Sequence, residues 1–484
     1  MRHGLLIDGV WREAHDGVFE EVRSPYDGRV VGEAATAGVD DVDAAIAAAT
    51  RAAHAWARTP AHERNAILLR AAQLADERTE AIAHIISSEN GKSLLEARGE
   101  AGRTGEIIRL SAYEGSQLYG TTLPLDANKG TGREKLGFTL REPCGVVVAI
   151  TPFNYPALLV MHKIGPALAA GNAVVLKPAR ATPLTAIAIA QCFMDAGLPA
   201  GVLNVITGAG GALGDALVGD PRVRKVSFTG STATGTHIAS IAGVKKLSLE
   251  LGSSCPVVVL PDCDVEYTAN AVALGGYINA GQVCISVQRV IVHRDIEREF
   301  LDALTPLVQA IRIGDPLAAE TRVGTLINER EAVRVEASIR SAVAEGARLV
   351  TGGARRGCLV EPAIVAGVEP DAAFAQDELF GPAISVTTAS DWDEALRFAN
   401  ASAYGLGAGV FTRDIDKAIR AAREVEAGVV HINWTPLWRA DLMPYGGLKA
   451  SGVGKEGVRS AIEEMTEVKT VILHGRPWEK AGQS

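Results

Sequence analysis

The chain has 484 residues, 47% of them hydrophobic and 22% charged, with a net charge of -9. That length exceeds one ordinary core, and that balance predicts a soluble globular protein of two or three domains. The negative charge argues against a binder of phosphate backbones, so no nucleic-acid partner is expected, although a local basic pocket for a small anion is compatible with it.

Residues 1–10 begin with basic side chains but carry no apolar stretch of signal-peptide length. No stretch approaches a membrane span, so no membrane partner is expected. The six cysteines, Cys144, Cys192, Cys255, Cys263, Cys284 and Cys358, are sparse and show no paired metal-ligand spacing. They are expected to be free thiols in a reducing compartment, with no metal site and a cytoplasmic location.

In chain order, residues 5–35 read as a strand-rich leader with turns at Asp8-Gly9 and Tyr26-Asp27-Gly28. Alanine-rich helical patterns follow over 39–58, where Asp40 and Asp41 can cap, and over 62–89. Pro124, Asn128, Gly130 and Gly132 break the pattern over 121–133, and a strand resumes at Phe138-Thr139-Leu140-Arg141. From Gly145, apolar runs at 146–150, 173–176, 203–206 and 225–228 alternate with helical segments, which predicts a parallel sheet. A second series at 256–260, 287–292, 382–387 and 408–411, with helices at 295–312 and 329–345, predicts a second α/β domain.

Several loops between these elements carry chemistry. Thr151-Pro152-Phe153-Asn154-Tyr155-Pro156 is stiffened by two prolines, and Asn154 can project from it as an oxyanion donor or bond its own backbone in a turn. Lys177 closes the next strand, either as a cation where open α/β sheets bind ligands or as a surface lysine. Thr229-Gly230-Ser231-Thr232-Ala233-Thr234-Gly235 lies between a strand and a helix and fits either a phosphate cradle or a plain tight turn. Thr236 and His237 exclude a P-loop, and the glycines of 208–214 do not match the dinucleotide fingerprint. Finally, Ala280-Gly281-Gln282-Val283-Cys284-Ile285-Ser286 offers a thiol nucleophile, and Glu250, 34 positions earlier (284 minus 250), offers a carboxylate base. Taken singly, each is equally a buried cysteine or a solvated glutamate.

Together with Glu378-Leu379-Phe380-Gly381-Pro382 and Pro444-Tyr445-Gly446-Gly447, these motifs occur in the order seen in the aldehyde dehydrogenase superfamily. The chain resembles that family over essentially its whole length. The resemblance implies an α/β fold of two parallel-sheet domains plus a small β oligomerisation arm. A nicotinamide-dinucleotide domain would span 1–117 and 141–250, a catalytic domain 251–440, and the arm 118–140 and 464–484. The arm would pair with another subunit in a homodimer or homotetramer.

The same resemblance implies oxidation of an aldehyde to an acid with NAD or NADP. Cys284 would be the nucleophile, Asn154 and the Cys284 N–H the oxyanion donors, and Glu250 the base that activates water for thioester hydrolysis. Relatives that transfer the acyl group to coenzyme A commonly lack this glutamate, so the free acid is the expected product. Cofactor contacts fall to Thr151, Phe153, Lys177, Gly230, Ser231, Gly235, Leu251, Glu378 and Phe380. Arg180 stands where many strict NAD users carry a ribose-binding glutamate, which points to NADP use, or simply to solvent. Ser253 replaces a usual glycine and marks a subfamily.

For the substrate, Arg103 and Arg439 sit where relatives acting on small phosphorylated, phosphonylated or carboxylated aldehydes place anion-binding arginines. A lactaldehyde-like substrate fits the same pocket. Val283 stands where some of those relatives have another arginine, and Tyr155, Trp434 and Trp438 suit an apolar or aromatic aldehyde instead. The remaining alternatives are a coenzyme A-acylating enzyme, a thiol esterase and a non-catalytic binding or structural relative.

Overall fold

The computed structural model describes residues 1–476. Its first large sheet has eight strands in the order Gly452–Val453, Lys246–Glu250, Val223–Thr229, Val146–Ile150, Ala173–Lys177, Leu203–Val205, Leu5–Ile7 and Val10–Arg12. The strands from Lys246–Glu250 to Leu203–Val205 run parallel, and the outer pairings are antiparallel. Continuous Val and Leu runs form here because both faces are covered. Val147, Ala149, Val174 and Leu176 pack under helices Ala61–Glu77, Thr104–Gly115, Leu158–Ala169 and Pro183–Asp195. Val146, Val148, Ala173 and Val175 pack on the other side, against Val39–Arg58, Gly211–Gly219 and Thr232–Ile241.

Register decides what this sheet can present. Ile150 pairs with both Lys177 and Phe228, and Thr229 pairs with Glu250. The carboxyl ends of four adjacent strands therefore finish level, and the loops after them share one rim, where ligands of open α/β sheets bind.

A second sheet has seven strands in the order Arg348–Thr351, Ala363–Ala366, Ala383–Ala389, Val287–His293, Cys255–Val259, Gly407–Phe411 and Val429–Ile432. Its pairings are parallel except for the first. A third unit pairs Thr466–His474 antiparallel with the whole of Lys135–Pro143, with Thr122–Leu123 on the far edge. It contains part of the segments expected as the arm; residues 477–484 of that expectation lie outside the described residues.

Two expectations need correction. The pattern over 62–89 is two helices, Ala61–Glu77 and Thr79–Asn90, broken at Arg78, whose guanidinium donates to Asp195 at 2.6 Å. The first helix is capped at Gly38, not at Asp40 or Asp41 themselves. The Asp41 carboxylate accepts the Gly38 N–H at 3.0 Å and the His15 N–H as well.

Arg289 joins the layers of the second sheet. It is buried, and its guanidinium donates to the carbonyls of Ser254, Phe398 and Ala399 at 2.9 to 3.0 Å. The last two belong to the end of helix Trp392–Asn400, where the Phe398 carbonyl also accepts the Ala401 N–H at 3.4 Å. Arg289→Leu would strand the Ser254 and Ala399 carbonyls and weaken the third site, and we expect it to destabilise the fold by about 3 kcal/mol or more, read as a lowered thermal midpoint.

Candidate active site

Cys284 follows a turn that most sequences avoid. Asn279, Ala280 and Gly281 have φ of 50°, 53° and 69°, so two residues bearing a Cβ lie in the left-handed region. Each such residue costs about 1–2 kcal/mol unless its surroundings hold it. Here the Asn279 N–H donates to Glu96 at 3.0 Å, and its amide donates to the Asn154 carbonyl at 3.0 Å. The Gln282 amide donates to Asn279 and Thr325 carbonyls, and its oxygen accepts from Ile327 N–H. Glycine is required at 281, where a Cβ would stand 2.0 Å from the Gly381 carbonyl oxygen.

The thiol at the end of this turn separates two cavities. A small inner cavity is lined by Asn154, Tyr155, Glu250, Cys284, Tyr445, Arg103 and Arg439, among others. A larger cleft on the other side is lined by Thr151, Phe153, Gly230, Ser231, Leu251, Glu378 and Phe380. Cys284, Asn154 and Thr229 line both. A third basin, toward the surface, shares Arg103, Tyr155 and Arg439 with the inner cavity and adds Trp434 and Trp438.

Around the thiol, Asn154 donates one amide hydrogen to the Gln282 carbonyl at 2.9 Å and keeps its second. The Tyr445 hydroxyl lies 3.2 Å from the sulfur. Burial pushes the thiol up to about 12, against the opposing pull of that hydroxyl. Glu250 is 2% exposed, and neither carboxylate oxygen has a hydrogen-bond partner. Burial, and then the nearby charge of Glu456, raises its pKa well above the carboxylate range. Gly446 makes room for it, since a Cβ there would approach Oε1 to 2.8 Å.

The inner wall is charged. Lys163 meets Glu456 at 2.5 Å, and Arg439 lies 3.5 Å from the same carboxylate and 3.9 Å over the Tyr445 ring. Although burial works the other way, Lys163 and Arg439 hold Glu456 below its ordinary range. The Arg439 side chain is 11% exposed; its Nε and Nη2 have no hydrogen-bond partner, and Nη2 is the atom that faces Glu456. Arg103, at 37% exposed, pairs with Asp441, which also accepts from His162 at 3.2 Å. Burial and then Arg439 lower the His162 pKa to about 4, leaving the ring neutral at physiological pH.

In the cleft, helix Thr232–Ile241 begins at Ser231, whose hydroxyl accepts from Thr234 N–H. Phe153 and Phe380 meet edge to face at 5.9 Å, and Phe380 is itself left-handed, with φ of 50°. Glu378 accepts the Ser253 N–H at 2.9 Å, and burial raises it to about 7. The Ser253 hydroxyl turns away to Cys255, 3.1 Å distant. Three expected cofactor residues do not line the cleft. Lys177 is buried below it and donates to the Gly208 carbonyl at 3.1 Å, with its pKa lowered by burial to about 8. Gly235 packs on Leu251, and Arg180 faces a neighbouring cavity in a two-bond pair with Glu20 at 2.7 and 2.9 Å.

A thiol, an amide donor and a buried carboxylate beside a cleft that begins at a helix N-terminus suit acyl chemistry coupled to a nucleotide. A sequence model of the aldehyde dehydrogenase family matches residues 11–471. The chain belongs to the aldehyde dehydrogenase family. It is 41% identical to the 3-sulfolactaldehyde dehydrogenase of Priestia aryabhattai, over 98% of each chain. It is 37% identical to the lactaldehyde dehydrogenase of Methanococcus vannielii, over 97% of this chain and 100% of that one. The crystal structure of the NADP-dependent glyceraldehyde-3-phosphate dehydrogenase from Bacillus halodurans, complexed with NADP, superposes with a TM-score of 0.96 at 36% identity, covering 98% of this chain and 99% of that one. This aldehyde dehydrogenase therefore oxidises an aldehyde with NAD or NADP.

Sequence reading of the dehydrogenase missed Glu456, Asp441, His162 and the hydroxyl of Tyr445. One signal was available: His162 and Lys163 interrupt the otherwise apolar helix Leu158–Ala169, which is buried throughout. Among the described residues, no helix is long and apolar enough to cross a membrane, and no group of three or more His, Cys, Asp or Glu side chains is placed to hold a metal.

Because burial raises the Cys284 thiol, its alkylation by iodoacetamide should be slow near neutrality and accelerate with pH. Tyr445→Phe removes the hydroxyl that opposes this rise, so alkylation at a fixed pH should slow further. Equal rates in the two proteins would show that the hydroxyl does not stabilise the thiolate.

Proposed function

We propose that this enzyme converts a small aldehyde bearing one negative charge, with or without a hydroxyl group, into the free carboxylic acid through a thioester on Cys284. The position of Cys284 between the two cavities carries the reading, because it places one sulfur within reach of a substrate on one side and a nucleotide on the other. The Cys284 thiol loses its proton to solvent water, its sulfur bonds to the carbonyl carbon as the C=O π pair moves onto oxygen, and the resulting oxyanion is held by the spare Asn154 N–H and the Cys284 backbone N–H. When bound, NAD(P) supplies the hydride acceptor. Collapse of the oxyanion expels hydride with its electron pair and leaves the thioester. Glu250 in its ionised form then takes a proton from water as the oxygen adds, the C–S bond breaks, and the acid and the thiolate separate. An unpartnered carboxylate of raised pKa is a stronger base than a solvated one, which supports hydrolysis over transfer to coenzyme A.

For the cofactor, helix Thr232–Ile241 suits the pyrophosphate, Ser231 and Gly230 its approach, and Glu378 the nicotinamide ribose. Phe153, Phe380, Thr151 and Leu251 form the walls, and Lys177 reaches the adenine ribose by exchanging its bond to Gly208. Arg180 accepts the 2′-phosphate of NADP only in competition with Glu20, so both cofactors serve. The two sheets and the unit of Thr466–His474 with Lys135–Pro143 support a division into 1–117 with 141–250, 251–440, and 118–140 with 464–484. The open edge of Thr466–His474, with exposed Val468, Ile472 and Leu473, supports pairing with a second copy into a homodimer or homotetramer. We place the enzyme in the cytoplasm on its six free cysteines.

For the substrate, Arg103, Arg439 and Lys163 face the carboxylates of Asp441 and Glu456, beside a neutral His162. This set carries a surplus of one positive charge, which one anionic group would balance. The relatives named for sulfolactaldehyde and lactaldehyde support the same choice. Trp434 and Trp438 line the outer basin, not the inner cavity, which weakens the aromatic alternative.

Glu250→Gln should give one turnover's worth of NAD(P)H and then stall, with kcat lower by about 10²- to 10⁴-fold. In the wild type, kcat should rise as pH rises through the elevated pKa of Glu250, since the base form grows in that direction. Steady turnover by the Gln variant would remove Glu250 from the mechanism. Separately, kcat/KM for sulfonated, carboxylated, phosphorylated and neutral aldehydes, each with NAD and NADP, tests the substrate. Arg439→Ala should cut the value for the best anionic aldehyde by about 10-fold or more and spare neutral ones, as expected for loss of a charged hydrogen bond. An equal loss on both would sink the anion pocket.

A further inference from the structure

The loop that carries Asn154 is gripped by a short run at the end of helix Thr79–Asn90. The Asn90 amide donates to the Phe153 carbonyl at 2.8 Å. Two residues on, the Lys92 ammonium donates to the Asn154 carbonyl at 2.8 Å, and to Glu100 at 2.5 Å, while lying 3.6 Å over the Tyr155 ring. The other oxygen of Glu100 accepts the N–H groups of Ala157 and Leu158, at 2.8 and 3.1 Å, where helix Leu158–Ala169 begins. Lys92 and Glu100 are 1% and 2% exposed.

A buried ion pair is weak evidence for stability, because desolvating both charges costs roughly what their attraction returns. This one has a directional result instead. Lys92 and the Asn279 amide converge on one carbonyl, that of Asn154, and Asn90 fixes the carbonyl before it. With both peptide planes held, the Asn154 side chain leaves the backbone in one direction, toward the Cys284 turn. Lys92 does not line the inner cavity; it meets that cavity's wall through the Asn154 carbonyl and the Tyr155 ring, and only the Asn154 contact reaches the oxyanion donor.

We infer that Lys92, supported by Asn90 and Glu100, is the positioning residue for the oxyanion donor and acts through the Asn154 carbonyl. The inference rests on the reading of Asn154 as that donor. Misplacement of a catalytic group by about 1 Å can cost up to roughly 100-fold in rate, so a clamp of this kind has a measurable effect.

The test is a double-mutant cycle of Lys92→Met with Asn154→Ala, read as the single-turnover rate of NAD(P)H formation, with KM for the aldehyde and the cofactor Kd measured beside it. Lys92→Met alone should slow that rate by about 10- to 100-fold and leave KM and the cofactor Kd unchanged. In the Asn154→Ala background it should add nothing. Asn90→Ala, a milder change at the neighbouring carbonyl, should show the same silence, and it decides the matter if Lys92→Met does not fold. A full rate in Lys92→Met, a loss repeated in the Asn154→Ala background, or a loss shared with cofactor binding would each overturn the inference while leaving Asn154 as donor. A full rate in Asn154→Ala would overturn the donor reading and this inference with it.

Discussion

The active site depends on one unfavourable stretch of backbone, the left-handed turn at Asn279 and Ala280 that delivers Cys284. Isolated, it would relax, since two non-glycine residues there cost about 1–2 kcal/mol each. Its restraints come from separate parts of the chain: Glu96 from a helix beside the first sheet, Asn154 from that sheet's rim, and Thr325 and Ile327 from a long loop. Gly281 also lies against Gly381, next to Phe380, which is strained in its turn. The thiol thus takes its place only when both sheets have formed and docked. Cysteine position and assembly of the fold are the same event, which is why the cavities on either side meet at this sulfur.

Burial then separates the chemistry of similar groups. Glu250 and Glu456 share the inner cavity, and each has its charged form penalised by desolvation. Glu456 receives Lys163 and Arg439, which hold its pKa low; Glu250 receives no hydrogen bond, and its pKa rises. The ionised neighbour reinforces that difference, because its charge opposes a second one nearby. Two carboxylates of one type are thereby assigned different states by partners alone.

Much of this was legible in the sequence where composition and neighbourhood coincide. The strands Val146–Ile150 and Ala173–Lys177 announce themselves because burial on both faces demands unbroken apolar runs. The strand Gly452–Val453, which closes the same sheet from the far end of the chain, has two residues and no pattern to read. The break at Arg78 was equally hidden, since alanine-rich sequence continues across it. Cys284, Glu250 and Asn154 were legible through the order of their motifs. Glu100 and Lys92 were not, because charges in an alanine-rich helical stretch ordinarily face water. Only the packing of Thr79–Asn90 and Leu94–Gly102 against the 151–157 loop turns them inward. The pairing of Arg180 with Glu20 spans 160 positions and has no local signature.

That pairing and the inner cavity follow the same logic of compensated charge. A guanidinium that meets a carboxylate before any ligand arrives can bind an anion only by exchange, and the carboxylate it leaves must find water. Arg180 and Glu20 lie near the surface, where that exchange is easy, so the arginine permits a 2′-phosphate without excluding its absence. Arg103 and Asp441 are nearer the interior, and Asp441 keeps His162 whether or not Arg103 turns away. Arg439 has less to exchange: its Nη2 stands 3.5 Å from Glu456 Oε2 without a hydrogen bond, Lys163 holds the other oxygen of that carboxylate, and its Nε has no hydrogen-bond partner. Of the two arginines that face the inner cavity, Arg439 is the one whose charge can be given to a substrate at least cost. Its stacking on Tyr445, the residue beside the thiol, places that charge close to the Cys284 sulfur, and under the proposed attack by that sulfur a short aldehyde would reach both.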